Sequence, residues 1–312
     1  MTTFELPLVG AGGEPVDLRR TITSHGLASL APFEPIDDES ALRVTVPVGS
    51  RARTIVIREK RGGLAEVEVA GRRPAGKTET ELRALVRHIL SLDRDLSDFY
   101  ETVAADPDLS WAARGAGRWI QSPTVFEDVV KTVCTTNCTW SATVRMVTAL
   151  VEHLGPRAPG APKAGWRGRA FPGPEAMAGV GEDFYKEVVR AGYRGRYFIQ
   201  LAELVASGEV ELDALAAASR DELSDDELAH ELQALPGVGP YAAAHIMMML
   251  GRSSRLILDS WTRPTYARLV GKKKVSDATI LRRFKRYKEH AGLAFWLFLT
   301  RSWVPEPGRV GD

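Results

Sequence analysis

Two features that can do chemistry lie close together in residues 235–263, LPGVGPYAAAHIMMMLGRSSRLILDSWTR. The first is a turn bracketed by Gly237 and Gly239, and the second is a carboxylate, Asp259, that ends the apolar run LIL. Glycine permits positive φ, so the amides of such a turn can point outwards and form a concave anion site. The fixed offset between an anion-binding turn and a single acid indicates a chemical role for the acid.

The turn is flanked by two helical patterns, DDELAHELQAL and YAAAHIMMML, and Pro240 suits the first position of the second helix. The pattern predicts a helix–hairpin–helix. The amides of Gly237, Val238 and Gly239, together with the helix N-terminus, would bind a phosphate without reading base sequence. A plain structural turn remains the alternative, since a G-x-G pattern alone is a weak signal.

Asp259 precedes SWTRPTYARLV, which can be helical from Ser260 or Trp261. We therefore expect Asp259 to be an N-cap, near the positive end of a helix dipole that favours its ionised form. Capping alone is the competing explanation for an acid at this boundary.

The first hundred residues carry strand signals. Val44, Val46 and Val48 alternate, the stretches 54–57 and 64–71 are also strand-like, and Pro47 indicates an edge or a bulge. Short strands with tight connections predict an antiparallel sheet. A helix should follow from about Thr78, capped by Thr78 or Thr80.

Beyond about residue 106 the patterns are helical, except for a Pro- and Gly-rich loop at 156–176. Ser122 is the expected cap of the first of these helices, with Pro123 in its first turn. The fold class is therefore α+β, with a small antiparallel sheet domain at 1–109 and an all-helical body at 110–312.

The chain has 312 residues, a net charge of +1 and 44% hydrophobic residues, which is typical of a globular protein. It has no apolar stretch long enough for a membrane span and no secretory leader, so we expect a cytoplasmic protein. The two cysteines, Cys134 and Cys138, are too few for an iron–sulfur or four-cysteine zinc site. They are buried core residues or half of a metal site.

Although the net charge is near zero, acidic residues are concentrated in one stretch of the sequence and basic residues in another. The stretch 209–231 holds nine acids against Arg220, while 263–288 is basic, with one acid, Asp277. The basic residues there are Arg263, Arg268, Lys272, Lys273, Lys274, Arg282, Arg283, Lys285, Arg286 and Lys288. This is either the solvated face of an amphipathic helix or a surface for an anionic partner.

The run LPGVGPYAAAHI…LILDSWTR resembles the helix–hairpin–helix/Gly-Pro-Asp superfamily of base-excision DNA glycosylases. Three further segments agree. The helix pair of the family whose turn inserts into DNA is similar to FEDVVKTVCTTNCTWSATVRMVTALVEHLG, and a second family block is similar to FPGPEAMA…GYRGRYFIQLAELVASG. The end of the N-terminal, TBP-like sheet domain of 3-methyladenine and 8-oxoguanine DNA glycosylases is similar to HILSLDRDLSDFYETVAADPDLSWAARGAGRW. The resemblance covers nearly the whole chain.

The resemblance implies that Asp259 is catalytic and stabilises the positive charge that builds on the sugar as the base departs. Gly237, Val238 and Gly239 would bind the DNA backbone, and carbonyls of the hairpin can hold a monovalent cation. Lys272 and Lys273, in a different loop, are expected to contact phosphates. No other cofactor and no metal is implied.

Bifunctional members carry a lysine at the position of Tyr241, so we expect no lyase activity. Asn137, in the turn TTNCT, falls on the wedge position, although a helix-capping asparagine is the rival interpretation. The glutamine that reads the base edge in 8-oxoguanine enzymes is matched here by Phe295.

The resemblance also implies a base pocket formed by Tyr241, His245, Trp261, Phe295 and Trp296, each of which can equally be helical core. An aromatic pocket suits a cationic alkylated purine, whereas a neutral oxidised base would need hydrogen bonds.

The sequence thus predicts a monomeric, monofunctional DNA glycosylase that acts on double-stranded DNA with damaged bases and leaves an abasic site. We expect it in the bacterial cytoplasm, at the nucleoid, and away from membranes. The alternatives are an oxidised-purine glycosylase and a non-catalytic DNA-binding protein.

Overall fold

The computed structural model describes residues 2–49, 51–71 and 74–304. Its strands are β1 (Thr2–Pro7), β2 (Phe33–Ile36), β3 (Ala41–Val48), β4 (Arg51–Lys60) and β5 (Leu64–Val69). They form one five-stranded sheet in the order β1-β5-β4-β3-β2, and every pairing is antiparallel. The predicted antiparallel sheet is confirmed.

Thirteen α-helices lie in the described part of the chain. They are α1 (Leu18–Ile22), α2 (Lys77–Ile89), α3 (Ser97–Val103), α4 (Val125–Thr135), α5 (Trp140–Leu154), α6 (Pro174–Ala178), α7 (Arg194–Ala206), α8 (Leu212–Ala217), α9 (Asp225–Ala234), α10 (Pro240–Met249), α11 (Thr262–Leu269), α12 (Asp277–Phe284) and α13 (Ala291–Thr300). A π-helical segment spans Phe184–Val189, and the 3-10 segments are Gly26–Ser29, Ser110–Arg114, Lys285–His290 and Arg301–Trp303. None of the helices within these ranges is long and apolar enough to cross a bilayer.

The alternation of apolar side chains determines which face of the sheet is buried. Val44 and Val46 of β3 are fully buried, as are Ile55 and Ile57 of β4. Pro47 lies beyond Val44, the last residue of β3 that pairs with β2, so this part of β3 is a sheet edge, as its proline predicted.

Two predicted helix caps are wrong. Helix α2 begins at Lys77, after Gly76 with φ +53°, so neither Thr78 nor Thr80 caps it. Helix α4 is capped by Thr124, whose hydroxyl accepts from the amide of Glu127 at 3.2 Å.

Ser122 has a different role, because its amide donates to the buried carboxylate of Asp128 at 3.1 Å. That contact joins the loop before α4 to the helix interior, and only the folded chain brings the two groups together.

The buried residues form a sheet core and a larger helical core. Leu27 and Leu30, from the N-terminal part, belong to the helical core, whereas Ile120 packs into the sheet core. Residues on each side of the expected boundary at 109/110 therefore pack into the core of the other part of the chain. The division into two domains at that boundary stays a prediction.

Candidate active site

An open cleft of about 740 Å³ lies where three connections of the helical body meet. The connections are the turn from α4 to α5, the hairpin from α9 to α10, and the loop before α11, and the start of α7 adds a fourth side. The cleft is lined by Thr135, Thr136, Asn137, Cys138, Tyr193, Tyr197, Gln233, Leu235, Gly237, Val238, Gly239, Pro240, Tyr241, Ala242, Leu258, Asp259 and Ser260. The structure thus brings the predicted hairpin, carboxylate and wedge turn to one cleft.

The hairpin is built by two glycines that have different constraints. Gly237 has φ +80°, and a β-carbon there would lie 2.9 Å from a ring carbon of Tyr197 and 3.1 Å from a methyl of Val133. Gly239 has φ −95° and open space around it. The first glycine is therefore required by the fold, and the second leaves room for a ligand to approach the backbone.

The predicted amide site needs one correction. The amide of Val238 donates to the carbonyl of Leu235 at 3.1 Å, so it closes the turn and does not face a ligand. Within residues 2–49, 51–71 and 74–304, the amides of Gly239 and Tyr241 have no protein acceptor. They stand at the N-terminus of α10, where the helix dipole favours an anion.

Asp259 is half-buried and its carboxylate lies at the start of α11. Its Oδ1 accepts from the amides of Trp261 at 2.8 Å and Thr262 at 2.6 Å, while its own amide donates to the Thr262 hydroxyl at 2.8 Å. The carboxylate thus binds the amides at the start of α11, but the helix begins at Thr262 and its N-cap is Trp261, so Asp259 is not the N-cap residue that the sequence predicted. Because two amides donate to Oδ1, the carboxylate is held in one orientation. Its Oδ2 has no protein partner in the described chain.

Tyr241 projects from the first turn of α10 and is half-buried in the cleft wall. Its hydroxyl lies 3.5 Å from the hydroxyl of Thr135. Burial raises the pKa of the phenol, and the charge of Asp259 raises it further. At neutral pH the group is therefore a neutral phenol close to the carboxylate, and no lysine is among the described residues that line the cleft.

Three predicted pocket residues lie next to the cleft without lining it. His245 is buried, with its ring centroid 5.9 Å from that of Tyr241 and 6.4 Å from that of Trp296. Trp261 is 38% exposed and packs 5.6 Å from Trp296. His245, Trp261 and Trp296 thus form an aromatic layer that lies behind Tyr241, next to the cleft.

The structure does not bring Phe295 to the cleft, which corrects the sequence prediction. Its ring is fully buried, 5.2 Å from Phe284 and 6.1 Å from Tyr266. Helix α13 is apolar on all sides, so its sequence did not indicate which residues face the other helices and which face the site.

Asn137 lies at the tip of the turn from α4 to α5, with φ +47° and an exposed side chain. Its amide nitrogen is 3.5 Å from the Tyr193 hydroxyl. The left-handed conformation just after a helix suits asparagine, as the capping interpretation expected. The exposed amide also projects into the cleft, so the wedge role stays a prediction that this position allows.

Tyr193 and Tyr197 are cleft residues that the sequence reasoning did not single out. They are four residues apart at the start of α7, with ring centroids 5.9 Å apart, and Tyr193 is 54% exposed. Two tyrosines at i and i+4 in the stretch GYRGRY were the available signal, since they share one helix face.

The basic stretch is partly neutralised by its own acid, Asp277, and by two acids elsewhere in the fold. Ion pairs hold Arg263 to Asp277, Arg283 to Asp108 and Arg286 to Asp106, each with an N–O distance between 2.6 and 2.8 Å.

Lys272 and Lys273 are exposed in the loop after α11 and do not line the cleft. The eight residues of α11 separate them from Asp259, a rise of about 12 Å. The lysines therefore lie outside the cleft, and their contact with phosphates stays a prediction.

The cysteines form no disulfide. Cys138 donates its thiol to the carbonyl of Cys134 at 3.0 Å, and burial raises the pKa of Cys134. Among the described residues there is no group of three or more metal-binding side chains. A cation held by hairpin carbonyls stays a prediction.

No protein-family model matches the chain. It is 26% identical over 170 residues to the DNA-3-methyladenine glycosylase of Bacillus subtilis (strain 168), a match that covers 54% of each sequence. The chain thus spans about half the length of this curated relative.

Solved structures match over nearly the whole length. The 3-methyladenine DNA-glycosylase of Archaeoglobus fulgidus superposes with a TM-score of 0.71 at 18% identity, covering 97% of this chain and 99% of that one. The Clostridium acetobutylicum 8-oxoguanine glycosylase/lyase in complex with double-stranded DNA gives 0.67 at 18% identity, covering 92% of both. The chain therefore has the fold of these DNA glycosylases.

Proposed function

We propose that this protein is a DNA glycosylase that hydrolyses the N-glycosidic bond of a flipped, damaged purine. The observation that carries the proposal is the placement of Asp259. Its carboxylate lines a cleft with the free amides of the α10 N-terminus on another side. A strand held by its phosphate at those amides would present the sugar to the acid.

The carboxylate is suited to the charge that the reaction creates. As the bond between C1′ and the base nitrogen breaks, the base leaves with the electron pair and the sugar becomes oxocarbenium-like. Oδ1 of Asp259 is held by two amides, so Oδ2 can face the cation without reorganising. Water then adds to C1′ and gives an abasic site.

We propose hydrolysis without strand cleavage. A lyase needs an amine that forms a covalent bond with C1′, and the chain has Tyr241 at that place. The raised pKa of the phenol keeps it protonated, so it is a poor nucleophile and a good hydrogen-bond donor.

Alkylated purines are the proposed substrates, on two grounds. The curated relative is a 3-methyladenine glycosylase. The aromatic layer behind Tyr241, which includes Trp296, is suited to a cationic base by cation–π attraction. We propose double-stranded DNA as the partner and a monomer as the active form.

The test is Asp259→Asn, with Asp213→Asn on the exposed face of α8 as the matched control. Asparagine keeps an oxygen for the two amides, so the contact with α11 and DNA binding should persist. Base release should fall by about 100-fold or more. Duplexes with 7-methylguanine, 3-methyladenine, hypoxanthine or 8-oxoguanine are incubated with protein, and alkali then cleaves the abasic sites.

Base release by Asp259→Asn at the rate of Asp213→Asn would disprove the catalytic assignment. Strand cleavage before alkali, or a borohydride-trapped adduct, would disprove the absence of lyase activity. DNA binding without release of any base by the parent would identify a binding protein instead of an enzyme.

A further inference from the structure

Four polar ring atoms are buried together, without a hydrogen-bond partner, behind the wall of the cleft. They are Nδ1 of His25, Nε1 of Trp119 and both ring nitrogens of His245. Buried polar groups in proteins are nearly always hydrogen-bonded, and an unmet one costs about 1–3 kcal/mol. Four of them in one place require an explanation.

The three rings form a compact cluster. His25 stacks on Trp119 with centroids 4.5 Å apart, and His245 lies 5.2 Å from Trp119 and 5.9 Å from His25. Other buried indoles of this protein have partners. The Trp296 N–H donates to the Ser24 carbonyl at 2.7 Å. The unmet N–H of Trp119 is therefore a property of this cluster.

The cluster offers both donors and acceptors. Burial lowers the pKa of His25 to about 3 and that of His245 to about 4, so both rings are neutral at pH 7. Nε2 of His25 lies 2.9 Å from the carbonyl of Ile120, which can only accept, so Nδ1 of His25 is an acceptor. Trp119 can only donate, and neutral His245 has one nitrogen of each kind.

Tyr241 contacts both the cleft and one member of this cluster, His245. The Tyr241 ring lines the cleft and lies 5.9 Å from the ring of His245 on its other side. The hydroxyl of Tyr241 is held only by a 3.5 Å contact with Thr135. If this ring shifted, a base in the cleft could reach His245 while Asp259 faced the sugar.

We propose that His25, Trp119 and His245 recognise the Watson–Crick edge of the flipped base through hydrogen bonds. This inference rests on the proposed glycosylase function and refines its substrate class. The edge of a guanine, adenine or hypoxanthine ring offers a donor beside an acceptor, N1–H and O6 in guanine and hypoxanthine and the 6-amino group and N1 in adenine, and these are the kinds of partner that Nδ1 of His25 and Nε1 of Trp119 lack. The site would therefore take purines whose edge still offers a donor beside an acceptor, including those damaged at N3, N7 or C8, and reject purines whose edge is blocked.

The first experiment compares bases. Single-turnover release is measured from duplexes with an intact edge (hypoxanthine, 7-methylguanine, 3-methyladenine, 8-oxoguanine) and from one with a blocked edge (1,N6-ethenoadenine). Hypoxanthine and ethenoadenine are both neutral, so their comparison removes the effect of base charge. Hypoxanthine should be released at least about tenfold faster than ethenoadenine, which corresponds to about 1.4 kcal/mol.

The second experiment removes the indole donor. Trp119→Phe deletes the unmet N–H, and Trp111→Phe is the matched control, because the Trp111 N–H is satisfied by the Asp108 carbonyl at 3.0 Å. Trp119→Phe should reduce the preference for intact over blocked edges by about tenfold. Trp111→Phe should lower the melting temperature and leave that preference within twofold of the parent.

The outcomes separate this inference from the proposed function. Release of ethenoadenine as fast as hypoxanthine overturns the inference, as does an unchanged preference in Trp119→Phe. A lowered melting temperature with unchanged preference would mean that the N–H binds a structural water. If Trp119→Phe does not fold, His245→Gln is judged by the same ratio. Failure of the parent to release any base overturns the proposed function, and this inference with it.

Discussion

The two hairpin glycines allow one prediction to be worked out in full, because their local geometries differ. Gly237 has φ +80°, and alanine in this left-handed region costs about 1–2 kcal/mol. Its β-carbon would also lie 3.1 Å from a methyl of Val133, which is fully buried and cannot retreat. We therefore expect Gly237→Ala to lower the free energy of unfolding by about 2 kcal/mol, within a range of about 1–3.

The expected change in melting temperature follows from the size of the chain. An unfolding entropy of about 2.1 cal/mol/K per residue over 312 residues gives about 0.66 kcal/mol/K for one cooperative transition. A loss of 2 kcal/mol then lowers the melting temperature by about 3 °C. Gly239→Ala should leave it unchanged or raise it slightly, since φ is −95° and nothing lies within 4 Å of the added carbon.

For DNA binding we expect the larger effect from Gly239→Ala, the variant whose stability is not reduced. The methyl of Gly239→Ala would occupy the space through which a phosphate reaches the amides of α10, so this variant should bind duplex DNA about tenfold more weakly although it folds normally. Thermal unfolding and fluorescence anisotropy at fixed salt measure the two effects. Equal destabilisation by both variants, or parent-like DNA affinity in Gly239→Ala, would refute the reasoning.

Three further predictions follow from other parts of the structure. If Lys272 and Lys273 each contact a phosphate, alanine at either position should reduce the slope of log Kobs against log salt by about 0.9, and an unchanged slope would argue against the contact. Folding lowers the pKa of His245 from 6.5 to about 4, so the unfolded chain takes up more protons and stability falls as pH falls. Between pH 8 and pH 5 the parent should lose about 2 kcal/mol more than His245→Gln in denaturant titrations, and parallel pH profiles would contradict a buried neutral imidazole. Ser224→Ala removes the capping box with Glu227 at the start of α9 and should cost about 1 kcal/mol in the same titrations, with no change in base preference if the helix only supports the hairpin.

The features that the sequence predicted depend on residues that lie close together in the chain. The alternating valines of β3 predicted a half-buried strand, and Pro47 predicted a sheet edge. The hairpin between α9 and α10 and the contact of Asp259 with the start of α11 were also predictable, since both depend on residues within a few positions of each other, although the N-cap itself is Trp261.

Whatever depends on contacts between distant residues was decided by the tertiary structure. Phe295 was assigned to the base pocket, yet α13 is apolar all round and its sequence carries no indication of which face meets the site. The amide of Val238 was expected to face a ligand, and the turn itself uses it.

The sequence by itself determined the kinds of element in this protein and the two groups, hairpin and acid, that the proposed reaction requires. The tertiary structure alone decided that they share one cleft, and that His25 and Trp119 meet His245 behind it. The physical reason is that periodicity and capping act over a few residues. The meeting of rings 94 or more positions apart depends on how the sheet and the helices pack, which no local pattern encodes.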